Sequence, residues 1–592
     1  MILQALNDYY KRAENLAPEG WVRRGVDYLI VLDKQGNCTN VECIQDQVKG
    51  KAIAHQMLVP HIGKQALKHT NSGKDANLLW DNGSFVLGGA GKGRTKVESF
   101  VATLDEWFPG TQDEGVSAIR SFTRLMLERP GSRDELLTRF NLKELFDERD
   151  FVFAFKLHGD VEPVHNRRAV RTAYEQKRTN GTSERQVMGN CLVTGAENVP
   201  LALNETVIKP ILGGQPAGVN IISFNKRSFE SYGKAGRKGE NAPVSKEASF
   251  GYTTALNGLL TSDHQRLQIA DATTVFWASE QHEMEDLFGE IMVDDPERGT
   301  KALQAMLNAA RSGRFTIGEP TATFHVLGVA APAKARVSIR FYQEAESLAL
   351  AKRLLQHFED LQVTETPIHY SISRLLRSIA VRGEKENIPD GLASDLVRCI
   401  VGDLPYPPVL LSAAVMRCRA EQSKRDKKRG SENVPRERAA LLKACLNRTI
   451  RLNNQTANEP QPEFTAMLDP NNPDNAYRLG RLFAALEKTQ EDAFWPTRLN
   501  ATIRDRYYGA ASSTPATVFS TLLRMKNHHI SKMENRGTAI NREKLIGEIM
   551  DGLDKFPGHL PLPAQARFAL GYYHQRQALF PNSDKSNEPS NN

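Results

Sequence analysis

The chain has 592 residues, more than one hydrophobic core can organise, so several domains are expected. Hydrophobic residues make up 40% and charged residues 25%, which excludes a mainly disordered chain. The net charge of +7 is modest but clustered, which favours a polyanionic partner.

The opening "MILQALNDYYKRAENLAPEG" meets Asn7, Asp8 and Lys11 too early for a signal peptide, and no apolar run is long enough to cross a bilayer, so a cytoplasmic location with no membrane contact is expected. Cys38, Cys43, Cys191, Cys399, Cys418 and Cys445 form no CxxC pair, so neither a zinc ribbon nor a disulfide framework is read. The run Val26–Leu32, a turn at Lys34–Asn37 and a weaker second strand predict a hairpin. Further strands are expected over Phe151–Leu157, Gly218–Asn225, Asp271–Ser279 and Ala335–Tyr342.

Beyond "ESLALAKRLLQHFEDL" strand signals fade and helical periodicity takes over. Leu479, Leu482, Phe483 and Leu486 form one apolar stripe behind an Asp474 cap, and later stripes predict a bundle of about four helices. The proline- and asparagine-rich "EPQPEFTAMLDPNNPDN" reads as an exposed linker. The expected class is α+β: a mixed sheet-and-helix body over 1–345, a helical region and linker over 346–466, an all-α bundle over 467–580 and a disordered tail over 581–592.

The stretch "SFVLGGAGKGRTK" places glycines between an apolar run and a helix-like segment, as a phosphate loop does. Gly91-Lys92 is followed by Gly93 and Arg94 instead of a hydroxyl residue, so the ATP reading fails. A solvated loop and a nucleic-acid backbone contact through Lys92, Arg94 and Lys96 remain. Upstream, Lys68, Asn71, Ser72, Lys74 and Asn77 are types that read base edges and hold phosphates, the plain alternative being a polar turn before a strand anchored by Trp80. A second loop, "NKRSFESYGKAGRKGENAP", interleaves Lys226, Arg227, Lys234, Arg237 and Lys238 with Phe229 and Tyr232, a pattern suited to single-stranded DNA. The runs His165–Arg178 and Arg417–Lys443 are also basic, and each is alternatively a solvated face.

No catalytic constellation, metal site or cofactor is read. "HEMED" begins like HExxH at His282-Glu283, but Asp286 stands where the second histidine belongs. The enzyme alternative is a metal-dependent nuclease using the acidic cluster from Glu283 to Asp295.

The motifs "GWVRRGVDYLIVLDKQGN", "NLLWDN", "CLVTG", "IISFN" running into "SFESYGKAGRKGENAPVSKEASFGYTTALNGLL", "DATTVFWA" and "FHVLGVAAPAKARVSIRFY" occur in an order that resembles one family. It is the large subunit of the type I-C CRISPR-Cas surveillance complex, Cascade. The resemblance implies a non-catalytic, RNA-guided role: recognising the protospacer-adjacent motif (PAM) on double-stranded DNA, assisting duplex opening and R-loop formation, and recruiting a helicase-nuclease. The implied partners are CRISPR RNA, the RNA-handle-binding, backbone and small subunits, and target DNA. It also implies an internal translation start yielding a small subunit, which is expected at Met467.

Overall fold

A computed structural model describes residues 2–48, 50–62, 75–89, 92–129, 131–143, 150–180, 186–231, 233–234, 236–269, 272–292, 295–332, 334, 336–365, 368–423, 433–497 and 499–580. The architecture is α+β, with sheets in the earlier part and helices throughout the last. Among the described residues no helix is long and apolar enough to cross a membrane. Two compact units form: Met1–Pro210 with Gly214–Gly258 and Ala333–Val337, and Ile211–Gly213 with Leu259–Pro332 and Ser338–Asn592.

The first unit runs through α1 (Ile2–Arg12), β1 (Trp21–Val26), β2 (Tyr28–Leu32), β3 (Cys38–Cys43), β4 (Asp46–Val48), β5 (Lys51–Ile53), β6 (His55–Pro60) and β7 (Trp80–Asn82). It continues through α2 (Gly83–Val86), α3 (Gly93–Trp107), α4 (Glu114–Glu128), α5 (Ser132–Arg139), β8 (Val152–Leu157) and α6 (Arg168–Asn180). The short pair β9 (Met188–Gly189) and β10 (Val199–Pro200) precedes a loop-rich stretch that ends in α7 (Lys246–Thr261).

The expected hairpin forms, β2 pairing antiparallel with β3 across a turn in which Asp33 accepts hydrogen bonds from the amides of Gln35 and Asn37. The sheet order is β3-β2-β8-β7, with β2 and β8 parallel. A parallel pair needs a crossover, and α2 to α5 lie within it. The period of two decides which side chains face those helices: Tyr28, Ile30 and Leu32 of β2 and Phe153, Phe155 and Leu157 of β8 join Phe100, Leu104, Ile119 and Phe122 in one core. Leu29 and Ala154 point the other way, into a smaller cluster with Val26, Val59 and Trp80.

The strand expected over Gly218–Asn225 does not form. Val219 and Asn220 make only isolated bridges, to Ile208 and Arg336. The physical reason is the Glu205 carboxylate, which takes the amides of Ile221 (2.7 Å) and Ile222 (3.1 Å) that a ladder would use.

In the second unit β11 (Arg266–Ile269), β12 (Ala272–Ala278), β13 (Thr323–Ala330) and β14 (Ser338–Glu346) form an antiparallel sheet in that order, with α8 (Met284–Met292) and α9 (Pro296–Ser312) between β12 and β13. The chain then turns helical through α10 (Ser347–Asp360), α11 (Ile372–Ile379), α12 (Leu392–Val401), α13 (Pro408–Ala420) and α14 (Arg436–Asn454).

Five helices follow among the described residues, α15 (Asn475–Ala493), α16 (Ile503–Ala511), α17 (Pro515–Lys532), α18 (Arg536–Asp551) and α19 (Leu562–Leu579), where about four were expected. The addition is short α16, started by a Thr502–Asp505 capping box. Asp474 caps α15 as expected, accepting from the Tyr477 amide at 2.8 Å.

One core runs from Phe276 and Phe324 in the sheet to Phe483, Phe568 and Tyr572 in the last helices. Of the expected linker, Glu459–Asn475, the first five residues are exposed, but Phe464 and Asn472 are buried, and Phe464 is clamped by two hydrogen bonds with Asn447. Helices α15 and α19 touch backbone to backbone: a Cβ on Gly480 would lie 2.0 Å from the Phe568 carbonyl oxygen, and one on Gly571 would lie 2.1 Å from that of Tyr477. Near this crossing Glu487 is buried and accepts from Tyr572 Oη (2.6 Å), Arg576 Nη1 (2.7 Å) and Thr502 Oγ1 (2.8 Å). Burial pushes its carboxyl up, but Arg576 and Arg504 outweigh that and hold it below the ordinary value.

Gly571→Ala should therefore force the helices apart and cost at least about 1–3 kcal/mol in denaturant unfolding; an unchanged midpoint would contradict the crossing. Three buried histidines set a pH dependence. Burial pushes His165 down to about 4 and His357 and His574 to about 3. As pH falls below about 6.5 the unfolded chain takes up protons at these sites while the folded one does not, so stability drops by up to about 1.4 kcal/mol per pH unit per group. The urea midpoint should fall between pH 7 and 5, and a flat profile would count against neutral, buried imidazoles.

Candidate nucleic-acid interface

The glycine-rich stretch lies in the first unit. Strand β7 pairs with β8, α2 follows at once, and the chain passes Gly88 and Gly89 before α3 begins at Gly93. Lys92, the residue preceding α3, provides no side-chain cap, so the first amides of that helix lack that partner. A cavity of about 200 Å³ opens here, lined by Ser84, Gly88, Gly89, Lys92, Gly93, Lys96, Arg133 and Asp150. Lys96 Nζ donates to Ser84 Oγ at 3.1 Å and lies 5.2 Å from the centre of the Phe85 ring. Asp150 accepts from the Ser84 amide at 3.0 Å.

Arg94 points elsewhere, pairing with Glu98 at 3.1 Å on the surface of α3. Arg133 was not visible as a site residue in the sequence. It comes from α5, its guanidinium lies against Gly89, and its Nε is buried without a hydrogen-bond partner. Three cations and one carboxylate around a small hollow form an arrangement suited to one phosphodiester group.

The second basic loop belongs to the same unit. Its acid and amide side chains are turned inward as braces: Glu230 accepts from the Gly236 amide at 2.9 Å, and Asn241 bonds the Ser231 amide and the carbonyls of Lys234 and Lys238. Lys226, Arg227, Arg237 and Lys238 are exposed. Lys234 differs, because its half-buried ammonium donates to the Glu240 carbonyl at 2.8 Å and so holds the loop's shape. Arg336, which sequence reasoning also missed, stacks 4.1 Å over half-exposed Phe229 and donates to the Ser223 carbonyl at 2.7 Å. A planar cation on an aromatic ring beside four exposed cations suits phosphates and base faces together.

Lys68, Asn71, Ser72 and Lys74 lie outside the described residues. Asn77 is buried; its backbone N–H donates to Asp81 Oδ2 at 2.7 Å and its side-chain Oδ1 has no partner. Of the other basic runs, Arg167 pairs with Asp113 and Asp160. In Arg417–Lys443, Arg438 and Lys443 are buried, bonded to carbonyls of Ser378 and of Glu359 and Asp360. Those two charges build the helical core instead of a surface.

The acidic stretch also makes local bonds. Glu283 accepts from the Thr316 amide, Glu285 from that of Ala278, and Asp295 caps α9. Cys191 Sγ accepts from the Ser245 amide at 3.2 Å; burial pushes its thiol up, but hydrogen bonds from Ser245 and Thr194 outweigh that and leave it at about 7.

One family model, described as CRISPR-associated protein (Cas_Csd1), matches residues 6–580. The chain belongs to that family of CRISPR-associated proteins. A comparison with curated proteins finds no match.

The bracing of the second loop is testable. Glu230→Ala removes charge-assisted hydrogen bonds of about 1.5–3 kcal/mol, so exchange of the Gly236 amide should quicken at least about tenfold. Unchanged exchange would show that the loop holds its shape without Glu230.

Proposed function

We propose that this chain is the large subunit of a type I-C RNA-guided surveillance complex: a non-catalytic protein that recognises the PAM on duplex DNA, helps open it and guides the displaced strand. The observation that carries the reading is membership of a CRISPR-associated family over nearly the whole chain, joined to two glycine-bearing loops that present exposed cations. Such loops suit backbone contact, since glycine permits close approach and each Lys or Arg releases counterions on meeting a phosphate.

Base reading falls to Lys68, Asn71, Ser72 and Lys74, with buried Asn77 fixing the end of that segment. Lys92, Lys96 and Arg133 contact a duplex phosphate at the hollow while Arg94 stays paired with Glu98, and Lys226, Arg227, Arg237 and Lys238 track the displaced strand, over a loop shaped by Lys234. Target sequence is read by the CRISPR RNA, other Cascade subunits hold that RNA, and a recruited helicase-nuclease cuts. A start at Met467 would supply the last five helices as a small subunit. Because Phe464 and α14 share their core, that fragment exposes apolar surface unless a neighbour covers it.

The assembled complex on duplexes with and without the correct flank tests the reading. Asn71→Ala should relax discrimination between flanks by about 1–3 kcal/mol, whereas Arg237→Ala should weaken all sequences alike and reduce the salt slope by about one unit. Equal binding to both flanks by the unaltered complex would overturn PAM recognition.

A further inference from the structure

A second cavity in the first unit, about 290 Å³, opens beside the braced loop, with Asn204, Glu205, Phe224, Asn225, Lys238 and Tyr252 among its walls. Its size lies just below the usual range of ligand pockets, about 300–1,000 Å³, and suits one flat heterocycle.

The polar groups are arranged by sign. Glu205 is held by Tyr252 Oη on one carboxylate oxygen and by the amides of Ile221 and Ile222 on the other. The Asn220 side chain, bonded to the Glu205 carbonyl at 3.4 Å, lies beside this carboxylate, and the Tyr252-bonded oxygen has a second lone pair for a further donor. Lys238 is exposed, and the chain is pinned there: a Cβ on the next residue, Gly239, would lie 2.1 Å from the Ala202 carbonyl oxygen, and the Gly239 amide donates to the Leu203 carbonyl at 3.1 Å. Asn204 is exposed and makes no side-chain hydrogen bond among the described residues. Ile222 and Val244 supply apolar wall.

An acceptor carboxylate repels a phosphate and favours a ring edge bearing N–H groups, while the exposed ammonium favours the phosphate. We propose that this cavity receives a single extrahelical nucleobase of the displaced DNA strand, donor edge toward Glu205, with the adjoining phosphate at Lys238. The inference rests on the strand-guiding role proposed above and adds to it a definite stop for one base.

The test uses the full chain and single-stranded oligonucleotides carrying 2-aminopurine at one position in turn. At one or more positions fluorescence should rise as the base leaves its stack. Asn204→Trp, which blocks the mouth, should abolish that rise and weaken binding at least about fivefold, the weight of one base contact. Ala242→Leu, filling the wall, should do the same and guards against a folding fault in the first variant. Arg237→Ala should weaken binding but keep the rise.

A rise that survives both cavity variants while the oligonucleotide still binds would overturn the pocket and leave strand guidance standing. Failure of the chain to bind single strands at all would overturn both. If deoxyadenosine monophosphate abolishes the rise at micromolar concentration, the cavity is a free-nucleotide site and the strand assignment falls.

Discussion

The pairing of one three-residue strand holds the proposed DNA face in place. Trp80–Asn82 lies on the edge of the first sheet, yet two segments of the proposed interface adjoin it: the base-reading candidates precede it and the glycine-rich stretch follows it. Four hydrogen bonds fix so short a strand. Trp80 is buried and donates from its indole to the Pro60 carbonyl at 2.9 Å, the Asp81 carboxylate takes the amides of Asn77 and Asn82, and the Gly83 amide reaches the Phe151 carbonyl. A rigid edge of this kind lets loops carry charge to a ligand without collapsing onto the core.

The second loop solves the same problem without a strand. Its carboxylate and carboxamide face inward onto its own backbone, so the exposed cations are not neutralised by neighbours they would otherwise pair with. The weak Arg237–Glu240 contact, 3.7 Å at the surface, adds little. The opposite arrangement holds in the helical part, where Arg438, Lys443 and Arg448 are buried against carbonyls and hold helices together. Stretches rich in basic residues thus serve two different purposes, separated by burial.

That difference explains what was legible in the sequence. The β2–β3 hairpin, β8, β12 and the stripes of α15 and α17 to α19 were readable because periods of two and 3.6 survive in the local pattern. Gly218–Asn225 was misread because the acceptor that takes its amides, Glu205, stands more than a dozen residues upstream. The phosphate-sized hollow was half legible: Lys92 and Lys96 lie in the quoted stretch, but Arg133 arrives from α5 with no local signal. Arg336 likewise meets Phe229 only through the fold. The backbone contact of α15 and α19 depended on two glycines ninety-one positions apart, Gly480 and Gly571, which no local pattern connects.

The exposed cations of the first unit are proposed to face DNA. Photo-crosslinking of the complex, assembled with CRISPR RNA on a target duplex and mapped by mass spectrometry, tests it most directly. DNA adducts are expected within residues 84–96 and 226–238, with displaced-strand adducts confined to the second group. Adducts to RNA alone, or DNA adducts absent from both loops, would contradict it.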